Sequence, residues 1–153
     1  MQHLTSELVI EFDNLVAQAE RFCDRRNPEA LKCIAKAQEI ADATADFRLQ
    51  TLVSYLHAYY ECFINNNYEN AIRALNSCLD TLSEEDYNAI GYKLFMTLGN
   101  SYQLKGDLFS SQECYLKGLR ILETKPELNE AAEIFLASFY YNLSVLLGSS
   151  EPN

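Results

Sequence analysis

Apolar and small residues recur along almost the whole chain at the three-and-four spacing that lines one face of a helix. The sets Tyr55, Ala58, Tyr59, Cys62 and Phe95, Leu98, Gly99, Tyr102 and Tyr140, Leu143, Ser144, Leu147 share the spacing i, i+3, i+4, i+7, at offsets of 40 and then 45 residues. Phe12, Leu15, Val16 and Ala19 form an earlier, weaker copy. Between these lie sets spaced i, i+4, i+7: Ala30, Ile34, Ala37, then Ala71, Leu75, Cys78, then Ser111, Tyr115, Gly118, at offsets of 41 and 40 residues. A recurrence of this length is the signature of a stack of similar helix pairs, each burying its stripe against the next.

The pattern predicts seven helices, over about residues 5–23, 28–43, 46–65, 68–82, 85–104, 108–124 and 127–147. Asn27 before Pro28 reads as an N-cap with proline in the first turn, where its missing N–H costs nothing. Ser83 with Asp86, and Thr124 with Glu127, read as capping-box starts. In "KGD" at 105–107, Gly106 supplies a left-handed C-cap and Asp107 caps the helix that follows. Short connections make neighbouring helices antiparallel. The fold class predicted is all-α, grouped as units at 5–43, 46–82 and 85–124 with a lone first helix at 127–147, in a single helical repeat domain.

Small residues on the stripes have a packing role. Ala71 or Gly118 lets two helix axes approach, while Tyr59 or Tyr115 fills the space beside them. A glycine inside a helix costs about 1 kcal/mol relative to alanine, so close approach is the reason for Gly99. The stretch "LFMTLGNSYQLKGDLFSSQECYLKGLRIL", Leu94 to Leu122, resembles the tetratricopeptide repeat family, with Phe95, Leu98, Gly99, Tyr102, Gly106, Ser111, Tyr115 and Gly118 in the family's aromatic, Leu-Gly, Tyr, Gly, small, aromatic and small places. "YLHAYYECFINNNYENAIRALNSCL", Tyr55 to Leu79, is similar, with Asn66 at the turn glycine, but has Ala58 and Tyr59 at the Leu-Gly pair and Cys62 at the next aromatic. The resemblance implies a right-handed superhelix of antiparallel helix pairs. It speaks to fold more than to function, since the family binds many partners.

In such repeats the first helices line a concave groove, and the residues one, two and five places after the first stripe aromatic point into it. Carried onto this chain, the resemblance implies groove positions Asp13, Asn14, Ala17, Leu56, His57, Tyr60, Met96, Thr97, Asn100, Tyr141 and Asn142, with Phe63 and Gln103 one turn beyond Tyr60 and Asn100. The site residues expected to meet a protein or extended peptide are thus Asn14, Leu56, His57, Tyr60, Phe63, Met96, Asn100, Gln103, Tyr141 and Asn142. Aromatics supply contact area, and amides pair with a peptide backbone whatever its side chains. Asn100 and Asn142 fall where family members grip peptide backbone. Met96 stands where a carboxylate-clamping member has its first lysine, and Lys93 is the only nearby cation on that face, which argues against a clamp for a C-terminal carboxylate. Tyr60 and Phe63 also fit a core role, filled in by the chain itself or by a neighbour.

Composition narrows the function classes. A formal charge of −10 opposes a phosphate backbone and disfavours nucleic acid. The five cysteines, at 23, 33, 62, 78 and 114, form no C-x-x-C pair and read as small buried hydrophobes. His3 and His57 lack metal-ligand spacing, and no Gly-rich phosphate loop or G-x-S-x-G occurs, so neither an enzyme site, a metal nor a cofactor is expected. The acidic run Glu84, Glu85, Asp86 complements a helix N-terminus. No signal-type start and no uninterrupted apolar stretch near 18 residues is present, so a cytoplasmic protein without membrane association is expected.

The seventh helix, "EIFLASFYYNLSVLL", is strongly apolar where a terminal repeat helix is usually polar outside. This predicts either that more chain follows it or that another copy covers it, including a homodimer through this helix. The repeat spacing near 40, longer than the family's usual 34, resembles the repeat regions that precede bacterial GGDEF diguanylate cyclase or helix-turn-helix output domains. The expected function is therefore a protein- or peptide-binding regulatory domain of a bacterial signalling protein. A stand-alone acidic adaptor or secretion chaperone is the alternative; its size and acidity fit, its repeat length does not.

Overall fold

In the computed structural model, which describes residues 1–150, the described residues form seven helices and no strand: α1 (Ser6–Asp24), α2 (Ala30–Thr44), α3 (Phe47–Phe63), α4 (Tyr68–Thr81), α5 (Glu84–Lys105), α6 (Leu108–Glu123) and α7 (Glu130–Ser150). Every end lies within three residues of the span the periodicity predicts.

Local chemistry sets these ends. The side chains of Thr5, Asp46, Ser83 and Asp107 accept the backbone N–H groups of Leu8, Leu49, Asp86 and Ser110, each satisfying one of the donors a helix start leaves open. Asn27 Oδ1 accepts from Glu29 N at 3.0 Å, but i+3 backbone bonds from Asn27, Pro28 and Glu29 make this first turn tight, and α2 itself opens at Ala30. Gly106 closes α5 at φ 97°, and Asn66, at the place of a turn glycine, takes φ 56°. The expected start at Thr124 and Glu127 is corrected. Thr124 ends α6, its hydroxyl donating to Ile121 O at 2.8 Å, and Asn129 caps α7 by accepting from Ala132 N at 2.8 Å. Pro126 turns the residue before it away from helical backbone, which delays α7 to Glu130.

The chain divides into two compact units, Met1–Cys78 and from Leu79 on. In the first, α1 and α2 run antiparallel, the chain start returning to the end of α2 through Gln2 N to Ala43 O at 2.7 Å. Helices α1 and α3 run parallel, since Tyr55 donates to Glu20 and Tyr59, one turn on, to Asp24, one turn on. Of the stripe residues, Phe12, Val16, Ala19, Ala30, Ile34, Ala37, Tyr55, Ala58, Tyr59, Cys62, Ala71 and Leu75 are buried, while Leu15 and Cys78 are half-buried. Ser54 is hydrogen-bonded to Cys78, while Glu61 near the end of α3 lies by Asn70 near the start of α4, so α3 and α4 run antiparallel.

In the second unit α5 and α6 are antiparallel and very close. Ser111 Oγ donates to Gly99 O at 2.8 Å near one end, and Gly91 lies against Ile121 near the other. The Tyr115 ring covers Gly99, and the Phe139 ring covers Gly118, edge-on to Tyr115 with centroids 6.2 Å apart. Helices α5 and α7 run parallel: Tyr92 meets Phe135 edge-on at 5.1 Å, and Asn142 reaches Met96. The stripe expected on α7 is one residue out. Ala132, Phe139 and Leu146 are the buried positions, whereas Tyr140 is 52% and Leu147 55% exposed. The reason is steric: Gly118 leaves a hole on α6, and Phe139 is the aromatic whose ring reaches it. Among the described residues one helical segment, Glu130–Gly148, is long and apolar enough to cross a membrane by length and composition.

Candidate functional site

The residues expected to line a groove fall into two sets, one in each unit. In the first unit Asn14 is exposed on α1, Leu56 is fully buried, His57 is exposed, and Tyr60 and Phe63 are half-buried on α3. Their surroundings diverge. Phe63 stacks on Tyr59, centroids 5.1 Å apart, under the Arg26 guanidinium at 5.6 Å, and its carbonyl accepts from Arg26 Nη1 at 2.6 Å. This ties the end of α3 to the turn after α1 and gives Phe63 a packing role. His57 instead faces α4 and lines a cleft of about 490 Å³ with Ala58, Glu61, Asn70, Arg73, Ala74 and Ser77.

The periodicity itself builds that cleft. Ala58 and Ala74 form an apolar floor because small side chains at the α3–α4 contact leave the helices' rims standing above it. The rim carries an imidazole, a carboxylate, a guanidinium, an amide and a hydroxyl. Arg73 Nη1 donates to Asn70 Oδ1 at 3.2 Å along α4, and Asn65 Nδ2 donates to Glu61 Oε1 at 2.9 Å at the end of α3, so donors and acceptors are held by local bonds along each rim. Of this set the resemblance implies His57 alone: Glu61 falls between the positions it carries over, and the α4 residues lie on a second helix, on which it draws nothing.

In the second unit Met96 is buried, Asn100, Gln103 and Asn142 are half-buried, and Tyr141 is 68% exposed. Tyr115 OH bonds both Asn100 Oδ1 at 2.6 Å and Gln103 Oε1 at 2.9 Å. A phenol has one proton to donate, so one amide accepts it and the other must turn its NH₂ to the phenol oxygen. The two amides thereby hold each other's orientation through Tyr115. Asn142 Nδ2 donates to Met96 Sδ at 3.4 Å, a weak bond that turns it toward α5. Tyr141, one position along, points to the outer face of α7.

The chemistry of the remaining polar groups is structural. Tyr55 OH donates to Glu20 Oε2 at 2.5 Å and Tyr59 OH to Asp24. Burial, then the neighbouring carboxylates, pushes both phenols up. Burial also raises the Asp24 carboxyl, against the Tyr59 hydrogen bond that lowers it. Cys23, close to Cys33 and Cys62, is pushed up to about 12, first by burial and then by Asp24 and Glu20; burial likewise pushes Cys114 up to about 11. None of the five cysteines is in a disulfide, and among the described residues no group of three or more His, Cys, Asp or Glu is placed to hold a metal. Thiols buried and raised in this way are poor nucleophiles. In the native protein at mildly alkaline pH, a disulfide reagent such as Ellman's is expected to label Cys78 first, since it alone is half-buried, with the others following only on unfolding. Rapid native labelling of Cys23 or Cys114 would show that the helices around them open.

Protein-family models, curated proteins and solved structures give no match to this chain.

Proposed function

We propose that this chain is a binding scaffold of the tetratricopeptide type, its helix pairs set in a right-handed superhelix, that holds a protein or an extended peptide rather than carrying out chemistry. The observation that carries the reading is the α3–α4 cleft, with an alanine floor and a rim that offers His57, Glu61, Asn70, Arg73 and Ser77. A floor of this kind accepts a small apolar side chain, and a rim with both donors and acceptors pairs with peptide backbone in either sense. In the second unit the paired amides Asn100 and Gln103 are a separate set of groups of the same kind, on α5.

More particularly, the chain is the regulatory domain of a bacterial signalling protein, where occupancy of the scaffold alters the arrangement of an output domain such as a GGDEF diguanylate cyclase. The support is the recurrence at 40 and 41 residues along the second helices. The partner is met in the cytoplasm and is neither nucleic acid nor membrane.

Selection of a random-sequence peptide library on the immobilised chain tests the binding reading. Peptides are expected to enrich, and both His57→Ala and Arg73→Ala should weaken the enriched peptides about 10-fold or more while leaving the melting temperature within a degree or two, since both residues are exposed. No enrichment, or binding untouched by both substitutions, would overturn it.

A further inference from the structure

Helix α7 presents an outer face at Ile134, Ala137, Tyr141 and Ser144, all exposed, with Ile134 63% and Tyr141 68% accessible, and flanked by the exposed Tyr140 and Leu147. We propose that this face is the contact between two copies of the chain, packed antiparallel about a two-fold axis that passes between Ala137 and Tyr141.

Four observations support that occupant and that geometry. The first is size complementarity. Along the face the residues are spaced three, four and three apart and run large, small, large, small: Ile134, Ala137, Tyr141, Ser144. An antiparallel pairing about that axis sets Tyr141 on Ala137 of the other copy and Ile134 on Ser144 of the other copy, each contact made twice. A face that is its own complement under a two-fold rotation is what an isologous dimer requires. A parallel pairing in register would set Tyr141 on Tyr141 and leave the small positions facing each other.

The second is charge. From Ile134 to Gly148 the helix carries no ionisable carboxylate, lysine, arginine or histidine, in a chain of formal charge −10. Two such chains repel wherever their carboxylates meet, and this face lets them touch without doing so. In the antiparallel arrangement the acidic N-terminal turns, with Glu130 and Glu133, lie at opposite ends. The two Glu130 residues are then about 27 Å apart at 1.5 Å per residue, some three Debye lengths at physiological salt. An anionic lipid surface is disfavoured by the same count, because α7 has no basic residue to meet it.

The third is that the serine hydroxyls of this side are already satisfied. Ser144 Oγ donates to Tyr141 O at 2.7 Å and Ser138 Oγ to Ile134 O at 2.9 Å. Covering the face therefore strands neither serine. The fourth is area. Ile134, Tyr140, Tyr141 and Leu147 are each more than half exposed, so two copies together offer apolar surface on the order of the ~1,000 Å² a specific interface needs.

Sedimentation equilibrium of the full chain over a concentration series tests this. The expected result is a reversible shift from 17.5 kDa to twice that mass. Ala137→Glu puts a carboxylate under the Tyr141 ring of the other copy and is expected to raise the dissociation constant about 100-fold or more, with helicity unchanged. Ile134→Glu serves as a second, independent probe at the edge of the contact, and Ala137→Ser is expected to leave the dimer intact. A chain that stays at 17.5 kDa throughout overturns the proposal, as does a dimer indifferent to Ala137→Glu and Ile134→Glu. Binding of the monomer to neutral phospholipid vesicles that either glutamate abolishes would also overturn it, assigning the face to a membrane.

Discussion

Gly99→Ala is expected to destabilise the protein by about 2–3 kcal/mol, although replacing a mid-helix glycine by alanine ordinarily gains about 1 kcal/mol. A Cβ added at Gly99 falls 2.6 Å from Tyr115 Cδ1, well inside contact distance, and that ring has no freedom to retreat. Tyr115 is fully buried, lies edge-on to Phe139, and has its hydroxyl bonded to Asn100 and Gln103. To admit the methyl group, either α5 and α6 separate, loosening the Ser111 to Gly99 bond between them, or the ring shifts and gives up hydrogen bonds worth about 1 kcal/mol each. Urea denaturation measures the loss. Gly148→Ala is the control with the opposite sign, since a Cβ there meets nothing within 4 Å and only the helix-propensity gain remains. Combining Gly99→Ala with Tyr115→Leu should cost at least about 1 kcal/mol less than the sum of the two changes, because the clash disappears with the ring. A Gly99→Ala protein as stable as the parent would mean that the axis separation of α5 and α6 is set elsewhere.

The same contact explains why so much of the fold was legible. Residues that a helix interior normally avoids, such as Gly99 and Gly118, lie under the aromatic rings of Tyr115 and Phe139, and only a close interhelical approach makes both members of such a pair worthwhile. Turns were equally readable, because Gly106, Asp107, Ser83 and Asn66 each carry a backbone or capping requirement that few residues meet. Two things could not be read. The start of α7 depended on a competition between Thr124 and Asn129 as caps, decided by Pro126 and by the length of chain needed to cross from α6. The cleft depended on α4 side chains whose exposure follows from the alanine contact beneath them, and no local motif marks exposed Asn70, Arg73 and Ser77 as neighbours of His57. The carried-over positions behave unevenly for a related reason: Leu56 and Met96 occupy places meant for a groove but are apolar, and both are buried.

The register of α7 leads to the last expectation. In "SFYYNL" three aromatics stand in a row, so a stripe of the right spacing can be drawn through any of them, and periodicity has no means to choose. The choice is made on α6. Phe139 is fully buried against the hole at Gly118, where an added Cβ falls 2.7 Å from Phe139 Cε1, whereas Tyr140 is half in water with its hydroxyl donating to the exposed Glu123 at 2.8 Å. Phe139→Ala therefore removes a ring from a closed site beside a glycine that cannot fill the gap, and is expected to cost about 3–5 kcal/mol. Tyr140→Ala loses a surface hydrogen bond and a half-exposed ring, and is expected to cost about 1 kcal/mol or less. Thermal or urea unfolding of the two variants side by side decides between the registers, because each replaces one aromatic by alanine at neighbouring positions of the same helix. A larger loss at Tyr140 than at Phe139 would rotate α7 by about 100° from the arrangement described here, turning Tyr141 toward its neighbours and with it dissolving the outer face on which two copies are proposed to meet.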